Sequence, residues 1–175
     1  MRTLKDMLNQ VLGQSAFIQQ DTFFSPNDPD TFQMVAFANR AAHEMREFFP
    51  WGTLRKSAQI TLIDGQLSYD LPDDFDFYIT ETMWKAYGAR DVVIPTDDRY
   101  WSFIKAGNPG TRVNYYAKFI QNKLEFTSVT GGDVINFDYQ SKNIVMDVGG
   151  DLKDRFDADT DTFLLNDSTL EVGTK

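Results

Sequence analysis

The chain has 175 residues, 42% apolar and 14% aromatic with 15 Phe, which is long enough for one domain, or one domain with a helical appendage, and too apolar for a disordered chain. It has no Cys, which excludes disulfides, thiolate chemistry and Cys metal sites, and no apolar run near the roughly 18 residues a membrane span needs. Its net charge of −9 and pI near 4.5 set it against the phosphate backbone, which argues against sequence-specific nucleic-acid binding but not against a protein that surrounds DNA without gripping it.

The N-terminus carries Arg2, Lys5 and Asp6 and no apolar h-region, so no signal peptide is expected. Residues 1–53 read as a helical base of two helices. Thr3 can cap the first, with Asp6 at the capping-box position. Leu4, Met7, Leu8, Val11 and Leu12 form its apolar stripe, and Gly13 is placed to end it. A connector follows to Ser25-Pro26-Asn27. The second helix starts with Asp28 as N-cap and Pro29 at N1 and runs to about Phe48. Phe32, Val35, Ala36, Asn39, Ala42, Met45 and Phe49 mark one broad face, and Met34, Phe37, Ala41 and Phe48 a second. A helix apolar on two faces needs more than one neighbour, from this chain or another subunit. Pro50-Trp51-Gly52 turns the chain toward a sheet.

Residues 54–145 read as an antiparallel β domain. Asp64-Gly65 has the chemistry of a type I′ hairpin turn. With the turn there, Leu62 would face Leu67, Ile60 would face Tyr69 and Ala58 would face Leu71, all on one side. Phe77 to Trp84 reads as a further strand. Thr96 is expected to cap a short helix whose buried side is Tyr100, Phe103 and Ile104. Strands at Val113–Ile120, Lys123–Val129 and Val134–Tyr139 complete a meander. Its turn near Gln121-Asn122 fits either of two registers. Gly131-Gly132 is a second two-residue turn, pairing Leu124 with Tyr139 and Phe126 with Phe137. The fold expected is α+β: the helical base plus a small antiparallel β-barrel or sandwich with one short inserted helix. Residues 146–175 form an acidic C-terminal segment, with a possible short helix from Phe163 to Val172.

The search for chemistry nominates no catalytic residue and no cofactor. The only His is His43, mid-helix, so His triads and multi-His zinc sites lack their parts. Asp157, Asp159 and Asp161 match the first half of an EF-hand loop, but its Gly and Glu positions hold Thr162 and Ser168. Loop capping explains these carboxylates better. Asp73-Asp74 and Asp97-Asp98 read as turn and helix-start residues. Gly149-Gly150 lacks the Lys of a phosphate loop. Trp51, Trp84 and Trp101 fit core packing, anchoring at a subunit interface, or sugar stacking.

The order helix, Trp51-Gly52-x-Leu54-Arg55, then Asp64-Gly65-Gln66-x-x-Tyr69-Asp70-Leu71-Pro72-x-Asp74-Phe75 resembles the head-to-tail adaptor proteins of tailed phages. The neck or head-completion proteins of short-tailed phages are the nearest in kind. Trp84, Lys123-Leu124-Glu125-Phe126, Phe137-x-Tyr139-x-Ser141-Lys142 and Phe156-x-x-Asp159-x-Asp161-x-x-Leu164-Leu165 agree with it, so the resemblance spans about residues 1–170. It implies a non-enzymatic virion protein at the head–tail junction, made in the host cytoplasm. Such proteins form a ring, commonly of twelve, between portal and tail or nozzle proteins. The ring lengthens the DNA channel without specific DNA binding and without a membrane. On that basis Phe37, Ala41, Phe48, Trp51 and Arg55 are expected at the subunit or portal interface, and Trp84, Trp101 and Asn122 facing the tail. Family members usually continue into a further C-terminal helix used for portal docking, which this sequence does not show. The rival expectation is a carbohydrate-binding or Ca²⁺-dependent adhesion module, and a third is a hydrolase using an unrecognised carboxylate pair.

Overall fold

A computed structural model describes residues 2–25, 28–86, 90–107 and 115–165, with the backbone alone at residues 90 and 91. Three helices are described: α1 (Leu4–Gln14), α2 (Pro29–Phe48) and α3 (Asp98–Ala106). The strands in chain order are β1 (Arg55–Thr61), β2 (Ser68–Asp70), β3 (Phe75–Tyr78), β4 (Trp84–Lys85), β5 (Arg90–Val93), β6 (Tyr115–Ile120), β7 (Lys123–Phe126), β8 (Val134–Ser141), β9 (Val145–Met146), β10 (Leu152–Lys153) and β11 (Thr162–Phe163). They divide between two compact units: residues 1–55 with 140–175, and residues 56–139.

The first unit is helical with a small sheet. α1 begins at the expected capping box, with the Asp6 N–H donating to Thr3 Oγ1 at 3.2 Å and the Thr3 N–H to Asp6 Oδ2 at 3.3 Å. The Thr3 hydroxyl, which donates to Asp6 Oδ2 at 2.8 Å, and the Thr3 N–H hold the Asp6 carboxyl below the ordinary carboxylate value. The helix runs through Gly13 to Gln14, because Ala16 at φ 60° supplies the left-handed turn expected of Gly13. From Gln140 onward the chain returns to this unit. The closing segment starts as a strand, not a helix: Phe163 in β11 pairs with Val145, in a sheet of order β10-β9-β11. The rest of the expected helix, beyond Leu165, lies outside the described residues. Leu4, Phe23, Leu54, Ile144 and Phe156 meet in the core.

The second unit is an open mixed sheet of order β1-β8-β4-β5-β6-β7-β2, with β3 also on β8. It does not close into a barrel. Nor is it wholly antiparallel, since β5 and β6 are parallel and joined through α3, as a parallel pair requires a crossover. β5 itself was not expected. The turn at Asp64-Gly65 forms, with the Gln66 N–H donating to the Ile63 carbonyl at 3.0 Å, but only Gly65 has a positive φ (80°). A type I′ turn needs it at both positions, so the flanking strands splay instead of pairing. β1 pairs with β8 and β2 with β7, which overturns the expected hairpin. The Tyr69 hydroxyl fills part of the vacated pairing by accepting the Ile63 N–H at 2.8 Å. The β7–β8 hairpin at Gly131-Gly132 is overturned likewise. Its turn docks on the other one: Leu62 donates to the Asp133 carbonyl at 2.7 Å, and Gly131 to Asp64 Oδ1 at 2.6 Å. The β6–β7 hairpin does form, with Gln121-Asn122 as its loop and Phe119 opposite Leu124.

Phe77 to Trp84 is two short strands, broken by a turn with Glu81 at φ 63°. α3 is capped by Asp97, which accepts from the Arg99 N–H at 2.8 Å, so Thr96 is not the cap. Its buried side is Trp101 and Ile104, while Tyr100 and Phe103 face solvent.

Candidate interaction surfaces

α2 is the main exposed apolar element of the helical unit. Asp28 accepts from the Asp30 and Thr31 N–H groups at its start, with Pro29 at N1. Its end lacks a left-handed cap, and two side chains replace one. The Trp51 indole N–H donates to the Met45 carbonyl at 2.7 Å, and Gln140 Nε2 to the Arg46 carbonyl at 2.9 Å. The Trp51 N–H in turn donates to Gln140 Oε1 at 2.9 Å. Thr31, Val35 and Ala42 are buried, while Phe32 is 74% exposed, Phe37 67% and Phe48 88%. Met34, Phe37, Ala41, Glu44 and Phe48 alternate in steps of three and four, and at about 100° per residue Phe37, Ala41 and Phe48 fall within an arc of roughly 40°. Apolar residues at that spacing form a seam that fits another apolar ridge. Glu44 interrupts the apolar run and pairs with Arg40 on its flank at 2.8 Å.

The connector between α1 and α2 is held at several points. Asn9 gives its Nδ2 to the Gln20 carbonyl at 2.9 Å and takes the Gln20 N–H at 2.8 Å. Asp159 takes the Thr22 hydroxyl at 2.5 Å and the Phe23 N–H at 2.9 Å, and Phe23 is buried. The Phe17 N–H donates to the Leu12 carbonyl at 2.9 Å. Between these anchors Phe17 and Ile18 stand in solvent, Ile18 at 85% exposure. Neither was expected at a site. The available signal was an adjacent apolar pair inside a polar connector.

The acidic segment is a hub of this unit rather than a cation loop. Carbonyls of Asp161 and Asp159 accept from Leu4 and Lys5 at the start of α1. Phe156 exchanges both backbone bonds with the Asn39 side chain, at 2.7 and 3.1 Å. Asp161 is fully buried and takes the Asp157 and Ala158 N–H groups at 2.8 and 2.9 Å. Lys153 lies 2.6 Å from Asp157, 3.5 Å from Asp161 and 3.8 Å from Asp147. Its hydrogen bond to Asp157 raises the lysine and lowers that carboxyl from their ordinary values. The Asp157-Asp159-Asp161 run is therefore committed to backbone donors, the Thr22 hydroxyl and a lysine, and no group of three His, Cys, Asp or Glu placed to hold a metal ion occurs among the described residues.

The other expected contact residues are scattered. Trp51 is half-buried and meets Phe49 edge-on with centroids 5.7 Å apart, so its first role is to close α2. Arg55 and Ala41 are exposed. In the β unit Trp84 is half exposed and Asn122 is exposed in the β6–β7 loop. Trp101 is 5% exposed and offers the tail almost no surface, because α3 turns it inward. Phe103 and Tyr100 stand outward in its place.

Fold and surfaces together describe a scaffold: an α+β chain whose conspicuous features are apolar patches and polar clips. The model of the SU10 adaptor protein family matches residues 2–167, and the chain belongs to that family. No curated protein matches the sequence. The family makes the chain an adaptor-type structural protein of a phage virion, at the junction of head and tail.

Proposed function

We infer that the protein works as an oligomeric ring between portal and tail, a dodecamer that extends the DNA channel and gives tail or nozzle components a platform. The observation that carries this is the exposed seam of α2. A single soluble chain gains nothing by ordering Phe37 and Phe48 in water, whereas a neighbouring subunit or portal would bury them. Ala41 and Arg55 belong to the same contact region, with Trp51 fixing the end of the helix that presents it. Trp84 and Asn122 are the tail-facing residues in this reading. The net charge of −9 suits a lining past which DNA slides without sticking.

Light scattering of the purified protein, alone and mixed with portal rings, tests the reading. A multimer, or a mass increase of the portal by a whole ring, is expected. A protein that stays monomeric in both samples refutes it.

A further inference from the structure

We propose that the pinned tip Phe17–Ile18 of one subunit seats over Ala41 on the α2 seam of the next copy, making the ring contact head-to-tail. This rests on the ring reading above and names the residues on both sides of the contact. The tip is preorganised: Asn9, Asp159 and buried Phe23 hold the connector after it, and the Phe17 N–H is bound to the Leu12 carbonyl before it. Little ordering entropy is left to lose when it docks. The seam supplies a matching hole, since Ala41 has only a methyl group, with the exposed Phe37 ring one turn before it, Glu44 one turn after and Phe48 a turn beyond that.

Charge does not oppose this placement: Asp21 is the only charged residue from Ser15 to Ser25 and is exposed, and Arg40 and Glu44 beside Ala41 neutralise each other as an exposed pair at 2.8 Å. Symmetry agrees with it. A closed ring of identical subunits needs two different complementary patches on each copy, while a seam pairing with itself stops at a two-fold dimer. Both patches are exposed, so neither covers the other within one chain.

The chain lacks Cys, so Ile18→Cys and Ala41→Cys each introduce a single thiol. The full-length variants, mixed in equal amounts with portal rings, are treated with a short thiol-to-thiol cross-linker. A cross-linked dimer is expected in the mixture and in neither variant alone. Dimers in the single-variant samples would mean a two-fold contact and overturn the proposal. No cross-link in any sample that still assembles would overturn it too, leaving the ring reading intact. Failure of the unsubstituted protein to assemble overturns both. Ile18→Asp provides a second measure: the concentration needed for assembly should rise roughly ten- to a hundredfold, with an unchanged circular dichroism spectrum. An unchanged assembly concentration would contradict the contact.

Discussion

Asn39→Ala tests whether the acidic segment holds the helical unit together. Asn39 lies on the inner side of α2, and its amide satisfies both backbone groups of Phe156, at 2.7 and 3.1 Å. Phe156 is itself buried at 4% exposure. Each of the two groups left without a partner in a part-buried place costs about 1.5 kcal/mol, the lost bond included. Alanine returns about 0.5 kcal/mol in helix propensity. The expected loss is therefore about 2–3 kcal/mol, read as a lower urea midpoint at constant slope. Asn9→Ala removes a bond pair of the same geometry, but from the connector. It should cost less than about 1 kcal/mol globally and show instead as faster amide exchange at Gln20. A loss under about 0.5 kcal/mol for Asn39→Ala would refute the reasoning, because two orphaned backbone groups cannot be that cheap.

Two further outcomes concern charge and turns. Asp157 is lowered from 3.8, so its contribution is present above that value and is lost as pH falls through the lower folded value; Lys153 is raised from 10.5, so its contribution is full below that value and is lost as pH rises through the higher folded one. Lys153→Met removes the cation beside Asp147, Asp157 and Asp161, so its melting temperature should lie below that of the unsubstituted protein near neutral pH, and the gap should narrow as pH falls through 3.8 and below, where the Asp157 contribution is lost in any case; parallel pH profiles would count against the cluster. Gly132 has φ 84° with open space where a Cβ would go, so Gly132→Ala should cost about 1–2 kcal/mol from backbone strain alone, measured by thermal unfolding, and a neutral substitution would contradict the turn geometry.

Local signals were legible in the sequence wherever the structure is local. The capping box at Thr3 and Asp6, the Asp28-Pro29 start of α2 and its end at Phe48 all stand as read. Partner choice among strands was not legible. Ala58, Ile60, Leu62, Tyr69 and Leu71 do point to one core, as their alternation required. Every strand of that sheet shares the same core, however, so face consistency is met by a wrong neighbour as well as by the right one. The deciding contacts are far apart in sequence: Ser57 bonds Asp138 and Gln59 bonds Asn136. The site residues divide in the same way. Helical periodicity found the exposed seam of α2 at Phe37, Ala41 and Phe48. It could not distinguish buried Trp101 from exposed Phe103 on α3, because both are large apolar residues at a plausible core position. The grouping of residues 140–165 with the helices rests on side-chain clips from Gln140 and Asn39, which leave no periodic pattern.

The central claim, that the α2 seam is an assembly surface, is tested most directly by native mass spectrometry of Phe48→Asp beside the unsubstituted protein, each mixed with portal rings. Phe48 is 88% exposed, so the substitution should leave the fold and its melting temperature nearly unchanged. The account predicts that the unsubstituted protein adds a full ring of copies and that Phe48→Asp adds few or none. Equal ring addition by both would contradict it.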